Sequence, residues 1–287
     1  MRNCFAHWRW IILLLLYSAD AHAWGLYTHV YFAQHLIWAI PLTDPRYYHA
    51  VRRFPRLVLA GACLPDLSLV CEHFGLHDLT DSHQWQNTHD LVRNAASDEE
   101  RAIAIGYTSH LWVDVIAHNH FVPAHERMWV NIPLATHAVA EWAMDHHISR
   151  QLYRRPTELL REHEQQLSQY VSRNFGGSIN ASRKALGWLT SGEAAVRHSG
   201  FPGLCFHAAQ EIDQGLQRRF NYYLSETSSR LRHINRILAG ETPGWFAEPP
   251  CPKTTRQRID GVPMLKLRHR IPIPQDFFAS IDATGNH

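Results

Sequence analysis

His110 and Asp114 stand four residues apart in an apolar stretch, and His137 and Glu141 repeat the same spacing further along the chain. On an α-helix residues i and i+4 share a face, so each pair sets an imidazole beside a carboxylate. Asp145 extends the second face and His118 the first. The neighbours of the first pair, Ile103, Ile105, Leu111, Val113 and Val115, mark its helix as interior, and a buried charge needs a partner. Two facing helices that each bring a histidine and an acid into a bundle can hold two metal ions. Nitrogen and oxygen donors without thiolate suit zinc in a catalytic site. A single His-x-x-x-Asp is more often a surface ion pair. Here two such pairs fall in a chain of 22 histidines, eleven of them between His73 and His147.

The elements that must position these residues read as helices. Val30, Ala33, Leu36 and Ile37 recur at helical spacing, and a second amphipathic stretch runs from about His83 to Ala96. Ser97 and Glu100 form a capping box that opens a long helix from Asp98 to about His118. Asn131 and Pro133 start another, to about Tyr153. Pro156 opens a segment that Gly176-Gly177 closes, and helical period returns from Leu204 to Leu238 before Gly240. Pro243, Pro249, Pro250 and Pro252 then mark an irregular tail. With no alternating strands and no repeat, the fold class is an all-α bundle of roughly seven or eight helices, spanning 24–245, with a tail over 246–287 that packs on it or hangs free.

Arg2 and Arg9 flank an apolar run from Trp10 to Tyr17, and Ala21-His22-Ala23 offers small residues for a signal peptidase. The run is shorter than the ~20 residues that span a bilayer, so residues 1–23 read as a cleaved signal and the chain as secreted or periplasmic. Trp24 becomes the mature N-terminus, with an amine and a carbonyl able to chelate a metal. Cleavage leaves Cys63, Cys71, Cys205 and Cys251, enough for two disulfides or for buried thiols. A formal charge of +2 is too even to point to nucleic acid or acidic lipid.

The combination resembles the zinc-dependent phospholipases C of bacteria and the related single-strand-specific nucleases. Trp24 behind a signal site, His29, Asp66 in Gly61-Ala62-Cys63-Leu64-Pro65-Asp66, then His110, Asp114 and His120, then His137 with Glu141, follow that family's order over about residues 24–147. The resemblance implies three metals: one on Trp24, His29 and Asp114; one on Asp66, a loop histidine, His110 and Asp114; one on His120, His137 and Glu141. His77, His83 and His89 compete for the loop position, and His83, after Asp81-Ser82 at a helix start, is preferred. His118 rivals His120, and His35 rivals His29.

The chemistry so implied is phosphodiester hydrolysis by two or three zinc ions, with Asp114 and Asp66 as catalytic residues. Dications offset the repulsion between phosphate oxygens and a nucleophilic water held near Asp114, and Asp66 takes the proton. Phospholipid head-group cleavage is the first expectation. Nuclease or nucleotidase action is the alternative, for which Tyr27, Tyr31 and Phe121 could stack bases, and a non-catalytic zinc-binding protein is a third. Contact with a membrane would be peripheral and made by the rim of the site. No stable protein or nucleic-acid partner is expected.

Overall fold

The computed structural model describes residues 25–129, 133–247 and 273–278, and the signal segment, Trp24 and Cys251 lie outside these. Among the described residues the chain is helical, with no strand. Helix α1 is Leu26–Ala39, α2 Pro45–Arg53, α3 Pro55–Gly61 and α4 Ser68–Cys71. They are followed by α5 Trp85–Asn94, α6 Asp98–Ile116, α7 Val122–Met128 and α8 Pro133–Ile148. The second half comprises α9 Pro156–Glu162, α10 Glu164–Phe175, α11 Ile179–His198, α12 Phe201–Ile212, α13 Leu216–Arg230 and α14 Ile234–Leu238.

Helix α6 is the axis of the fold. Its start follows from Ser97, whose hydroxyl accepts from the Glu100 N–H at 3.1 Å, and the Glu100 carboxylate reaches back to the Ala96 N–H at 2.8 Å. The box therefore closes one residue earlier than the usual reciprocal pair. Every residue from Ala102 to Ile116 is buried, and α1, α2, α3, α5 and α14 all pack on the helix. Two of its polar side chains are satisfied locally: Thr108 and Ser109 donate to the carbonyls of Ala104 and Gly106.

The approach of α3 to α6 is set by two glycines. A Cβ on Gly106 would lie 2.1 Å from the Val58 carbonyl oxygen, and one on Gly61 would lie 2.5 Å from that of Ile103. Only bare backbone on both sides lets the helices cross so closely. That crossing brings the turn Ala62–Asp66 against the middle of α6, where His110 and Asp114 sit.

Helix α6 does not stop near His118 as its sequence suggests. A π turn over Ala117–Phe121 carries it into α7. The widening falls just ahead of Pro123, whose ring would clash with a carbonyl four residues earlier in a regular helix. Further on, the segment expected between Pro156 and Gly176 is two helices, divided at His163. The region from Leu204 to Leu238 is three, broken where Asp213 accepts from the Gly215 N–H at 2.9 Å and where a 3-10 turn spans Leu231–His233. Helix α11 has no counterpart in the sequence expectation, because Gly187 and Gly192 dilute its pattern. Its cap was nonetheless legible, since the Ser178 hydroxyl accepts from the Ala181 N–H.

The tail does not hang free where it is described. Trp245, Ala247, Ile273 and Phe277 are buried, and the Gly244 N–H donates to the Phe277 carbonyl at 2.8 Å. Arg230 fixes the returning strand of chain by donating to the carbonyls of Ile273 and Pro274. Cys63, Cys71 and Cys205 are buried free thiols, so the two disulfides that four cysteines would allow do not form. A core this extensive has no need of them.

Gly106→Ala should destabilise the protein by about 1–3 kcal/mol through overpacking against α3. Gly187→Ala, where an added Cβ meets open space, should be stabilising by up to ~1 kcal/mol. Urea denaturation of the two variants checks this, and equal effects would contradict the crossing geometry.

Candidate metal centre

Asp114 is fully buried, and three imidazoles converge on it. His29 Nε2 lies 3.3 Å from Oδ1, while His83 Nε2 and His110 Nε2 lie 3.4 and 3.0 Å from Oδ2. The rings of His29 and His110 stack at 3.5 Å, and Asp66 Oδ1 is 3.7 Å from His110 Nε2. Two overlapping donor sets result, His29–Asp66–His110 and His83–His110–Asp114, each with its ligand atoms within 4.8 Å of one another. The residues come from α1, the 3-10 turn Pro65–Leu67, the turn ahead of α5, and α6.

The far nitrogens of these rings decide what the near ones can be. His110 Nδ1 donates to the Ala62 carbonyl at 2.8 Å. The Ser82 hydroxyl has one proton, which it gives to the Pro65 carbonyl at 2.8 Å, so it accepts from His83 Nδ1 at 3.0 Å. Burial pulls the His110 pKa down, keeping that ring neutral. A neutral His110 ring with Nδ1 protonated carries its lone pair on Nε2, which lies 3.2 Å from His83 Nε2 and beside the Asp114 carboxylate. Lone pairs and carboxylate oxygens crowded together in a dry interior repel; a cation among them turns the repulsion into coordination. Burial also lifts Asp114 to a pKa of about 7, and lifts Asp66 well above the usual carboxylate range, with Asp114 adding to the effect on Asp66. The Asp66 Oδ1 atom is buried and accepts no hydrogen bond. The donor set fits a metal ion, and the ligand types fit zinc.

A second cluster lies at α8. His137 Nε2 is 2.7 Å from Glu141 Oε1, and the His118 ring centroid is 5.5 Å from that of His137. Glu141 is buried, and burial raises its pKa to about 7. Burial alone would lower His137, but the adjacent Glu141 outweighs it and the net shift is upward. His120 is held on the same π turn, with its ring 5.4 Å from Trp245 and 5.9 Å from Phe277. The extra residue of a π turn is what carries two histidines, 118 and 120, to positions that a regular helix would separate from one another differently.

The other expected residues fall as follows. His83 is in the centre, whereas His77 is exposed and His89 meets the Thr242 hydroxyl at 2.9 Å. His35 is half-buried on α1. Asp145 does not extend the ligand face: one oxygen accepts from the Thr28 N–H and hydroxyl at 3.0 and 2.7 Å, and the other pairs with Arg197. It thereby anchors the first turn of α1 at Thr28, one residue before His29. A Cβ on Gly25 would lie 2.2 Å from this carboxylate, which explains the glycine after Trp24. Phe121 is buried among His125, Phe220 and Tyr223, and Tyr27 is buried beneath Arg197, so neither offers a free face to a base. Sequence reasoning missed Ser82 and Ala62, which orient the rings by a hydroxyl and a main-chain carbonyl. Backbone partners leave no residue signature, though Ser82 next to His83 was a legible hint.

A cavity of about 330 Å³ opens beside His83. Gln84, Trp85 and Gln86 form one wall and the tail segment Thr242–Ala247 the other. The Trp85 indole donates to the Trp245 carbonyl at 2.8 Å, and Asn119 donates to that of Phe246. The tail is thus a wall of the site.

An all-helical protein with a buried cluster of imidazoles and carboxylates at the edge of a cavity has the build of a metal-dependent hydrolase. The family model for zinc dependent phospholipase C matches residues 28–177, more than half of the chain, and the protein belongs to that family. No curated protein and no solved structure matches it.

The raised Asp114 pKa gives a signed prediction for metal-free protein. A carboxyl whose folded pKa is near 7 and unfolded pKa near 3.8 costs stability as pH rises between those values. Asp114→Asn should therefore match the wild type at pH 4 and be more stable at pH 8 when zinc is chelated. With zinc present the order at pH 8 should reverse. Thermal melts of both proteins with and without chelator measure it; a variant less stable at pH 8 in chelator would contradict the cost of burying the Asp114 carboxylate.

Proposed function

We propose that this protein is a secreted or periplasmic phospholipase C that cleaves phospholipid head groups at a trinuclear zinc site, after removal of residues 1–23. The observation that carries the reading is the convergence of His29, His83 and His110 on buried Asp114, with Asp66 beside them. On this reading the first ion is held by Trp24, His29 and Asp114, and the second by Asp66, His83, His110 and Asp114. The third is held by His137, Glu141 and a histidine of the π turn, His120 by family order or His118 by its closeness to His137. The position of Gly25 against Asp145 supports the first assignment, because Gly25 caps α1 there and Trp24 is its neighbour in the chain.

Bound by these residues, zinc would supply charge to offset the phosphodiester oxygens and would bring the pKa of a water toward neutrality. The protein does the rest. Ser82 and the Ala62 carbonyl hold the imidazoles of His83 and His110 in one tautomer, so that their Nε2 atoms remain donors to metal. Asp66 takes the proton of the attacking water. The cavity beside His83 receives the head group, with the amides of Gln84 and Gln86 for polar contacts and Trp85 and Phe246 for apolar ones. Contact with a lipid surface would be peripheral.

The secreted, processed protein should bind three zinc ions and hydrolyse phosphatidylcholine and a nitrophenyl phosphorylcholine, with activity lost to a chelator. Asp114→Asn should lower turnover at least ~10³-fold, the scale set by losing a group that acts on the transition state, whereas exposed His198→Ala should leave it unchanged. One zinc should be lost from whichever of His118→Ala and His120→Ala removes a ligand. Cleavage of single-stranded DNA without choline-ester hydrolysis would move the protein to the nuclease branch, and bound zinc without turnover would overturn the enzymatic reading.

A further inference from the structure

A second and larger cavity, of about 590 Å³, is lined by none of the named metal ligands and lies between the start of α1, the segment after α8, and the junction of α11 with α12. Its walls include Tyr27, His146, Arg150, Arg155, Arg197 and Gly203. The charge balance is one-sided. Arg197 is compensated, pairing with Asp145 and Glu193, and its guanidinium lies 4.0 Å from the centroid of the Tyr27 ring. Among the described residues neither Arg150 nor Arg155 has a carboxylate within salt-bridge distance. His146 is pulled to a lower pKa by burial first, and then by His207, Arg197, Arg150 and His147, all of them bases. Gly203 keeps the backbone of α12 bare beside the imidazole, since a Cβ there would lie 3.1 Å from His146.

We propose that this cavity binds a phosphate monoester dianion. Two exposed guanidiniums without a carboxylate partner and a partly buried imidazole in one concavity supply the forked, charge-assisted donors that a phosphate takes. Arg197 is held rigid by its two carboxylates and adds donors without needing neutralisation itself. The volume exceeds a bare phosphate and leaves room for an organic group against Leu152 and Pro202. Phosphodiester hydrolysis releases a phosphate monoester, so the cavity would hold a ligand of the product class. That source rests on the proposed hydrolytic function; the binding itself does not. Asp145 joins the two places, because it grips Arg197 with one oxygen and Thr28, next to His29, with the other.

The test is calorimetric titration of the zinc-loaded protein with inorganic phosphate and with glycerol phosphate. The Arg150→Ala/Arg155→Ala variant should bind both about tenfold more weakly or worse, the effect of losing a charge-assisted hydrogen bond. Its zinc content and its rate on nitrophenyl phosphorylcholine should be unchanged, and Arg150→Lys/Arg155→Lys should restore most of the affinity. An identical isotherm in the alanine variant would overturn the proposal. If no diester is hydrolysed by either protein, the phosphate titration still decides, so the two failures are separable. A parallel arm with vesicles of phosphatidylcholine containing phosphatidic acid identifies the source. Weakened vesicle binding in the alanine variant, together with weakened phosphate binding, supports the cavity and assigns a lipid head group. Weakened phosphate binding alone supports it and assigns a soluble monoester.

Discussion

Asp114 is a carboxylate with no access to water, surrounded by three imidazoles, two of which are fixed in orientation by other bonds. Such an arrangement costs several kcal/mol in an apolar interior unless a cation is present, and the fold maintains it with evident effort. Helix α6 is buried along fifteen consecutive residues to place it. Two glycines let α3 come close enough for the Ala62 carbonyl to reach His110. Ser82 is itself buried and hydrogen-bonded to orient His83. A protein built only for stability would replace such a cluster by apolar side chains, which commonly stabilise as well or better. The cluster is therefore best understood as a metal centre around which the remainder of the core is arranged.

The other elements divide between anchoring that centre and framing it. Asp145 holds the start of α1 and so fixes His29, while α8 carries Asp145 and Glu141 one turn apart. The π turn lets one continuous helical run contribute His110 and Asp114 to one cluster and set His118 beside His137 in the next. The C-terminal segment closes the side opposite the turn of His83, pinned by Trp85, Asn119 and Arg230. These last contacts make the tail part of the site, so that its sequence shapes what the cavity admits.

Much of this was legible in residue spacing. The i, i+4 pairs of His110 with Asp114 and His137 with Glu141 mark a ligand face because helix geometry is regular, and Ser97 marks where α6 begins. What escaped the sequence depends on departures from that regularity or on long-range contacts. The π turn shifts the register after Ile116, so the simple extension of the stripe to His118 could not place that ring. Asp145 has the right spacing to be a ligand, yet its partners Thr28 and Arg197 are distant in the chain, and nothing local announces them. Helix α11 was hidden by its two glycines, and the packing of the tail by its prolines. The free thiols follow from burial, which cysteine counting cannot reveal.

X-ray absorption at the zinc K edge of the purified mature protein tests the central claim most directly. A centre made of His29, Asp66, His83, His110 and Asp114, with His137 and Glu141 nearby, requires a shell of nitrogen and oxygen at about 2.0–2.1 Å and no sulfur at about 2.3 Å. Cys63, close to Asp66 in the chain and buried, makes the absence of sulfur a meaningful result. A sulfur shell, or a folded protein that takes up no zinc, would contradict the account.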